Sequence, residues 1–439
     1  MKMQSIGGLF KALPLSAVIA IAAGSTSATS ADLGGDCCAD LEERIAELEA
    51  TTARKGNRKV SLTVSGHVAE QLFFWDDGVE SNTYVTGLGV NIYSQFHITG
   101  SAKITSDVSA GYKVIIGVED VDPLFANQDS DDARGNQLIL SQNYMWIESA
   151  KLGRLSWGFQ NHASDNAALL TDASGTGFPA SWIIYEGASF FINNSAGVRL
   201  SNGAGSSLTW ANDFAYCATD EVDGADCAGV QTNSIKYTSP NIAGFQILAS
   251  WGEDDLVDGT LNYSGVWGSF KVLGSVSYAQ VTDENYVVST PGTKKDVGYL
   301  QLGGYVEHMP TGLFVHGAYG REYVDGTEGI ARVAAGVDDE PDHYYLKAGI
   351  RRKWTPLGMT VLYGEYGKYN DMISPTAVAL GYTDSELQRW GVGIWQDIDA
   401  AAMSLFANYS NLSLDTKLGG VDVDVQDFHA VKAGGIIWF

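Results

Sequence analysis

The sequence predicts an all-β fold: a transmembrane antiparallel β-barrel in which up to 18 strands can be counted, two of them in a hairpin that stands either in the wall or apart from it. Long outer loops, short periplasmic turns and a short N-terminal coiled-coil helix complete it. Three observations carry the prediction. The chain ends in the alternating segment Asp427-Phe428-His429-Ala430-Val431-Lys432-Ala433-Gly434-Gly435-Ile436-Ile437-Trp438-Phe439, a strand that stops on an aromatic anchor. Short alternating runs recur about every dozen residues, the weak and repetitive signature of strands with lipid on one side and water on the other. Beyond the N-terminus no window approaches the roughly 18 consecutive apolar residues that a membrane helix needs, although the chain is 45% hydrophobic and only 18% charged. A secreted β-sandwich or solenoid is the competing architecture.

At the N-terminus, Lys2 and Lys11 flank a start that leads into the apolar run Ala12 to Ala23 and the small residues Ser25 to Ala31. That is the pattern of a secretory signal peptide over residues 1–31, with an apolar run too short to span a bilayer. Residues 32–57 read as a periplasmic coiled-coil segment and linker. Cys38, Leu41, Ile45, Leu48 and Thr52 recur at spacings of 3, 4, 3 and 4, an a/d seam flanked by Glu42, Glu43, Arg44, Glu47 and Glu49. Two heptads are marginal in water, so this helix needs a trimeric barrel to hold three copies together. Interchain disulfides through Cys37 or Cys38 then become available; a simple charged spacer is the alternative.

The barrel domain is expected over residues 58–439. In Val60-Ser61-Leu62-Thr63-Val64-Ser65-Gly66-His67-Val68 the even positions are apolar, apart from Gly66, and the odd ones polar, so one face can meet lipid and the other water. The same parity sets Tyr112, Val114, Ile116 and Val118 against Lys113, Leu155 and Trp157 against Arg154 and Ser156, and Leu300, Leu302 and Val306 against Gln301. Short links at 105–109, 149–153, 239–244, 309–312, 355–358 and 397–400 read as periplasmic turns. Longer ones near 119–136, 160–187, 282–296, 324–342 and 367–386 read as outer loops.

Acidic residues outnumber basic ones by 52 to 27, which makes nucleic acid an improbable partner. The acids gather in the outer loops, as in Asp122, Asp129, Asp131 and Asp132, where they would share divalent cations with lipopolysaccharide or keep the loops solvated. Cys217 and Cys227 bracket a polar loop and predict an intraloop disulfide, which suits an oxidising compartment.

Asn233-Ser234-Ile235-Lys236-Tyr237-Thr238-Ser239-Pro240-Asn241-Ile242-Ala243-Gly244-Phe245 resembles the strand-turn-strand motif that follows the third outer loop of Gram-negative general porins. Lys151-Leu152-Gly153-Arg154 with Gly158-Phe159-Gln160 resembles the strand leading into that loop, and the chain further resembles the alphaproteobacterial porins. The resemblance runs from about residue 59 to 439. It implies a trimeric, 16-stranded barrel in the outer membrane of a Gram-negative bacterium, narrowed by a third loop folded into the lumen. It also implies Phe439 as the signal to the barrel assembly machinery, and contact with outer-membrane lipid and lipopolysaccharide. One departure stands out: residues 190–216 carry an extra hairpin that either decorates the third loop or widens the wall.

If the apolar parity faces lipid, Lys103, Lys113, Arg154, Arg199, Lys236, Lys271, Lys347, Arg351, Arg389 and Lys432 point inward as a basic wall. Against it the candidate constriction loop, residues 161–184, offers Asp165 and Asp172, with Glu186 just beyond. A transverse field between them would pass polar solutes, exclude greasy ones and lean weakly towards anions. Trp146, Trp157, Trp251, Trp390, Trp395 and Trp438 read as an interfacial girdle rather than an inward sugar slide. No His-Glu-x-x-His, Gly-x-Ser-x-Gly, phosphate-loop or Cys-x-x-Cys pattern is present, so the sequence suggests neither catalysis nor a metal or other cofactor. A general diffusion channel is the expected function. A substrate-selective channel, or a barrel that tethers the envelope to the cell wall through its coiled coil, are the alternatives.

Overall fold

The computed structural model describes residues 59–89, 92–118, 121–132, 138–184, 187–201, 207–219, 226–253, 255–283 and 294–439. The expected signal peptide, the expected coiled-coil segment with Cys37, Cys38, Leu41, Ile45 and Leu48, and Glu186 lie outside the described residues.

From residue 63 the chain runs up and down through β1 (Thr63–Asp76), β2 (Ser81–Thr86), β3 (Ser94–Lys103), β4 (Val108–Val118), β5 (Leu138–Ser149) and β6 (Gly153–Gln160). After a long interval come β7 (Thr232–Thr238), β8 (Phe245–Gly252), β9 (Val257–Trp267), β10 (Phe270–Asp283), β11 (Lys295–His308) and β12 (Leu313–Val324). The last third holds β13 (Asp342–Thr355), β14 (Gly358–Asn370), β15 (Tyr382–Ile398), β16 (Met403–Leu418), β17 (Val421–Val423) and β18 (Phe428–Trp438). All pairings are antiparallel, and β18 closes the sheet on β1 with Trp438 opposite His67 and His429 opposite Asp76.

Two of the 18 segments add no width. β2 and β3 lie end to end along β1, against its upper and lower halves, and β17 and β18 lie end to end along β16. The barrel is therefore a closed wall of 16 strands. The extra hairpin predicted near residues 190–216 bridges Phe191 with Thr209, Asn193 with Arg199 and Ser201 with Ser207 within itself, and meets the wall at the break between β17 and β18, where Asn194 bridges Val425, without pairing along a wall strand. It belongs to the loop, so 16 is the strand count.

Closure removes every sheet edge, which is what a membrane demands of backbone N–H and C=O groups. The predicted parity holds along the wall. On β1, Val64, Val68, Leu72 and Phe74 are exposed on the outer face, while His67, Gln71, Phe73 and Trp75 are buried within. The predicted periplasmic turns fall between the strands as expected. In the Ser-Pro turn, Ser239 Oγ accepts from Ile247 N at 2.9 Å and Asn241 Oδ1 from Gly244 N at 3.0 Å. Gly312 turns at φ +73, where a Cβ would stand 2.1 Å from the Arg351 carbonyl. Phe439 exchanges backbone hydrogen bonds with Gly66 at 2.8 and 3.1 Å and sets its ring against Phe96.

Val276, at the middle of β10, is 51% exposed and lies opposite Leu261 and Leu302, all three on the outer face. Val276→Arg is expected to destabilise the barrel in lipid by roughly 2–4 kcal/mol, the cost of a guanidinium at the bilayer midplane. Urea titration of vesicle-folded protein checks this; a loss near zero would mean that this face does not meet lipid.

Candidate functional site: the loop inside the barrel

Between β6 and β7 lie residues 161–231, and their described parts fold into the barrel. A loop in that position must find partners for its own carbonyls and amides, and the inner wall supplies them. Lys236 on β7 donates to the Asn161 carbonyl, Ser250 accepts from Ala163 N at 2.8 Å, and Gln301 on β11 accepts from Ala168 N at 3.0 Å. His162 pairs with Asp258 on β9 at 2.6 Å. Lys347 on β13 holds three loop groups: the Asp172 carboxylate at 2.6 Å, Thr176 Oγ1 at 3.0 Å and the Ala180 carbonyl at 2.8 Å. Arg389 on β15 donates to the carbonyls of Ser181 and Ile183 and pairs with Glu365 at 3.2 Å. Asn408 and Lys432 both donate to the Pro179 carbonyl at 3.0 Å. The loop is thus fastened from β7 round to β18.

This fastening decides what the loop shows to the lumen. From His162 to Ile184 every polar side chain is buried, Asp165 and Asp172 included, and only Leu170, Ala173, Gly175 and Phe178 keep partial exposure. Gly175, at φ +89, would place a Cβ more than 4 Å from any atom, so it faces open space. Over residues 162–184 the side chains that keep exposure are therefore apolar. The sequence-based picture of loop acids facing a basic wall across water is corrected here. Asp172 meets its base directly in a dry contact, because an uncompensated carboxylate packed against the wall would be costly.

The basic residues divide into groups. Lys236, Lys347, Arg389 and Lys432 point inward as parity predicted, but serve the loop. Lys113 is inward and buried, 5.9 Å from the Tyr144 ring. Lys271 and Arg351 lie on the inner face near the periplasmic end, close to Tyr305 and Glu307 respectively. Arg154 pairs with Glu148 at 2.5 Å over the Trp146 ring, and Lys103 is exposed at the end of β3. Arg199 is not on the wall. It sits in the loop hairpin, stacked on Phe191 and paired at 2.5 Å with Asp129 of the preceding outer loop, whose carboxyl it holds below its ordinary pKa.

Two further apolar clusters escaped the sequence. In the outer half, Trp182, Phe190, Ile192, Trp210 and Phe214 of the loop pack on Phe73, Tyr369 and Phe428 of the wall. In the periplasmic half, Phe178 meets Trp395, Trp438 and His67. The girdle reading therefore holds for Trp251 and Trp390, which are exposed, and fails for Trp395, which is 2% exposed on the inner face, and for Trp438, which shares the inward parity of Lys432 and Ile436. Positions 390 and 395 differ by an odd number, so one strand cannot present both outward.

Cys217 and Cys227 form a disulfide, both wholly buried. The segment it secures sets Ala218 N and Thr219 N at 3.0 and 2.7 Å from the Glu322 carboxylate of β12. Short outer helices cap this side: α1 (Trp210–Phe214), α2 (Gly326–Ala335) and α3 (Pro375–Ala379), with Ser374 donating to Asp213 at 2.8 Å. Among the described residues, no group of three or more His, Cys, Asp or Glu side chains converges as a metal centre.

A family model described as Gram-negative porin matches residues 15–435. No curated protein sequence matches closely enough to carry a comparison. Among solved structures, the chain is similar to the anion-selective porin from Comamonas acidovorans, with a TM-score of 0.56 at 15% identity over 87% of this chain and 100% of that one. It is similar to the trimer form of OmpT, an outer membrane protein of Vibrio cholerae, with a TM-score of 0.50 at 13% identity over 87% and 99%. Salmonella typhi OmpF gives a TM-score of 0.51 at 12% identity over 87% and 98%. These likenesses establish the fold.

Proposed function

This chain belongs to the Gram-negative porin family, an outer-membrane diffusion channel by family and fold, and we propose that it passes small hydrophilic solutes and ions passively as one pore of a homotrimer. The observation that carries this reading is a wall apolar outside and polar inside, narrowed but spanned by a single loop turned inward. Trimerisation is supported by the similar barrel of OmpT in its trimer form. A signal peptide over residues 1–31 and a periplasmic coiled coil within residues 32–57 would accompany such an assembly.

Passage follows the exposed loop face, Leu170, Ala173, Gly175 and Phe178, rather than a line of acids. Lys113, Lys236 and Lys432 bring positive charge to the inner wall, which supports a modest anion preference. The test is single-channel recording of purified protein in a planar bilayer under a salt gradient. Large steps in threes, with a reversal potential on the anion side, are expected. Saturable block by solutes with an apolar face would favour the substrate-selective reading, and absence of conductance would overturn the channel.

Phe439 is proposed as the contact with the barrel assembly machinery. Its deletion should lower the amount inserted in the outer membrane of cells while leaving refolding into detergent intact. Equal loss in both settings would make Phe439 a structural residue only.

A further inference from the structure

On the outer face of the wall, β10 to β14 leave a groove of about 780 Å³ towards the periplasmic end, within the roughly 300–1,000 Å³ of sites that hold small ligands. Val306, Leu313, Val315 and Leu362 wall it, and Ala348 and Gly364 give it depth because their side chains are small or absent. A Cβ at Gly364 would come no closer than 3.8 Å to any atom, the Gly391 carbonyl oxygen. The groove is therefore open space that a larger side chain could fill without strain.

That space faces hydrocarbon. The strands β10 to β14 run for 12 to 14 residues each, more than the roughly 9–11 that a tilted strand needs to cross the bilayer. By contrast β6 to β8 run for only 7 or 8, so they are the side that a neighbouring copy would cover. A hollow in a lipid-facing wall favours an acyl chain, because an empty one forfeits the dispersion contacts of its lining.

The foot of the groove adds charge. It opens on the turn at 309–312, where Arg352, exposed on the outer face, donates to the Pro310 carbonyl at 3.3 Å. Beside it His308 pairs with Thr311 Oγ1 at 2.8 Å and lies against Phe270, with ring centroids 5.0 Å apart. Trp354, two residues past Arg352, is exposed as well and marks the level of the headgroups. The neighbouring bases Arg351 and Lys353 are paired with Glu307 and Asp399, and among the described residues no ion pair joins Arg352 to an acid.

We propose that this groove holds one phospholipid of the periplasmic leaflet, with an acyl chain between Val306 and Leu362 and an anionic headgroup on Arg352. A guanidinium above an apolar trough matches both halves of such a molecule.

The test titrates full-length protein, folded in detergent and freed of lipid, with dioleoylphosphatidylglycerol and in parallel with dioleoylphosphatidylcholine. Lipid per chain is counted by native mass spectrometry. The wild type is expected to retain one phosphatidylglycerol per chain in preference to phosphatidylcholine. Gly364→Leu, which fills the groove, should lose that lipid. Arg352→Gln should bind phosphatidylglycerol roughly fivefold more weakly and no longer distinguish the two headgroups. Ala249→Leu, on the exposed face of β8, should behave as the wild type. Retention by Gly364→Leu equal to that of the wild type, or a headgroup preference that survives Arg352→Gln, would overturn the proposal. So would displacement of phosphatidylglycerol by lipopolysaccharide, which would give the groove to the outer leaflet, or a loss of trimer in Gly364→Leu with lipid unchanged, which would give it to a second copy. Should Gly364→Leu fail to fold, the headgroup preference of Arg352→Gln still decides.

Discussion

Replacing Lys347 with Met is expected to unseat the third loop at a cost of about 3–5 kcal/mol, the penalty for leaving one partner of a buried ion pair uncompensated. Lys347 and Asp172 both have fully buried side chains, 2.6 Å apart. Lys347 also serves Thr176 and Ala180, so one substitution removes three anchors from the stretch carrying the exposed loop face. The barrel wall should survive, because its own ladders do not involve this side chain. The loop should not: protease access to residues 161–184 and current noise in bilayers are both expected to rise. Adding Asp172→Asn to Lys347→Met removes the stranded charge and should recover much of the loss, as coupled neighbours do. Unchanged noise and protection in the single variant would mean that the ion pair does not hold the loop.

Breaking the Cys217–Cys227 bond should have the next largest effect. The ten-residue separation corresponds to roughly 3 kcal/mol in the chain-entropy model. The consequence spreads to β12, because Glu322 accepts from Ala218 N, Thr219 N and Thr219 Oγ1. If that segment loosens, Glu322 is left inside the barrel without its donors. The paired Cys217→Ser and Cys227→Ser variant is therefore expected to show faster hydrogen exchange at 216–219, and Glu322→Gln to show part of the same change. Exchange rates equal to those of the wild type would show that packing alone, with Phe214 and Ala228 in the same apolar cluster, secures the segment.

The wall was legible because membrane strands are governed by a period of two that one sequence displays openly. Val64, Lys113, Leu155 and Gln301 all point as that period demands. The loop was less legible. Its length was underestimated, since a hairpin such as Phe190 to Trp210 has the same alternation as a wall strand, and only closure of the sheet separates them. Inward parity located Lys347, Arg389 and Lys432 but not their partners. Those are carbonyls of Ala180, Ser181, Ile183 and Pro179, which every residue type supplies alike. Asp165 and Asp172 were expected to face water because they are charged; Asp172 is buried against the wall because Lys347 stands there, and Asp165 is buried with Asn166 of the loop as its hydrogen-bond donor. Trp395 was misplaced by reading aromatic content ahead of parity.

The central claim is that solutes pass along the exposed apolar face of the third loop within the barrel. Its most direct test places a cysteine at Ala173, in a chain with Cys37 and Cys38 changed to Ser, and adds a charged thiol reagent while recording single channels. Stepwise, irreversible reduction of current in the Ala173→Cys protein, with no change in a Val276→Cys control on the outer face, is the predicted result. Full current after complete modification at Ala173 would contradict the account and place the passage elsewhere in the lumen.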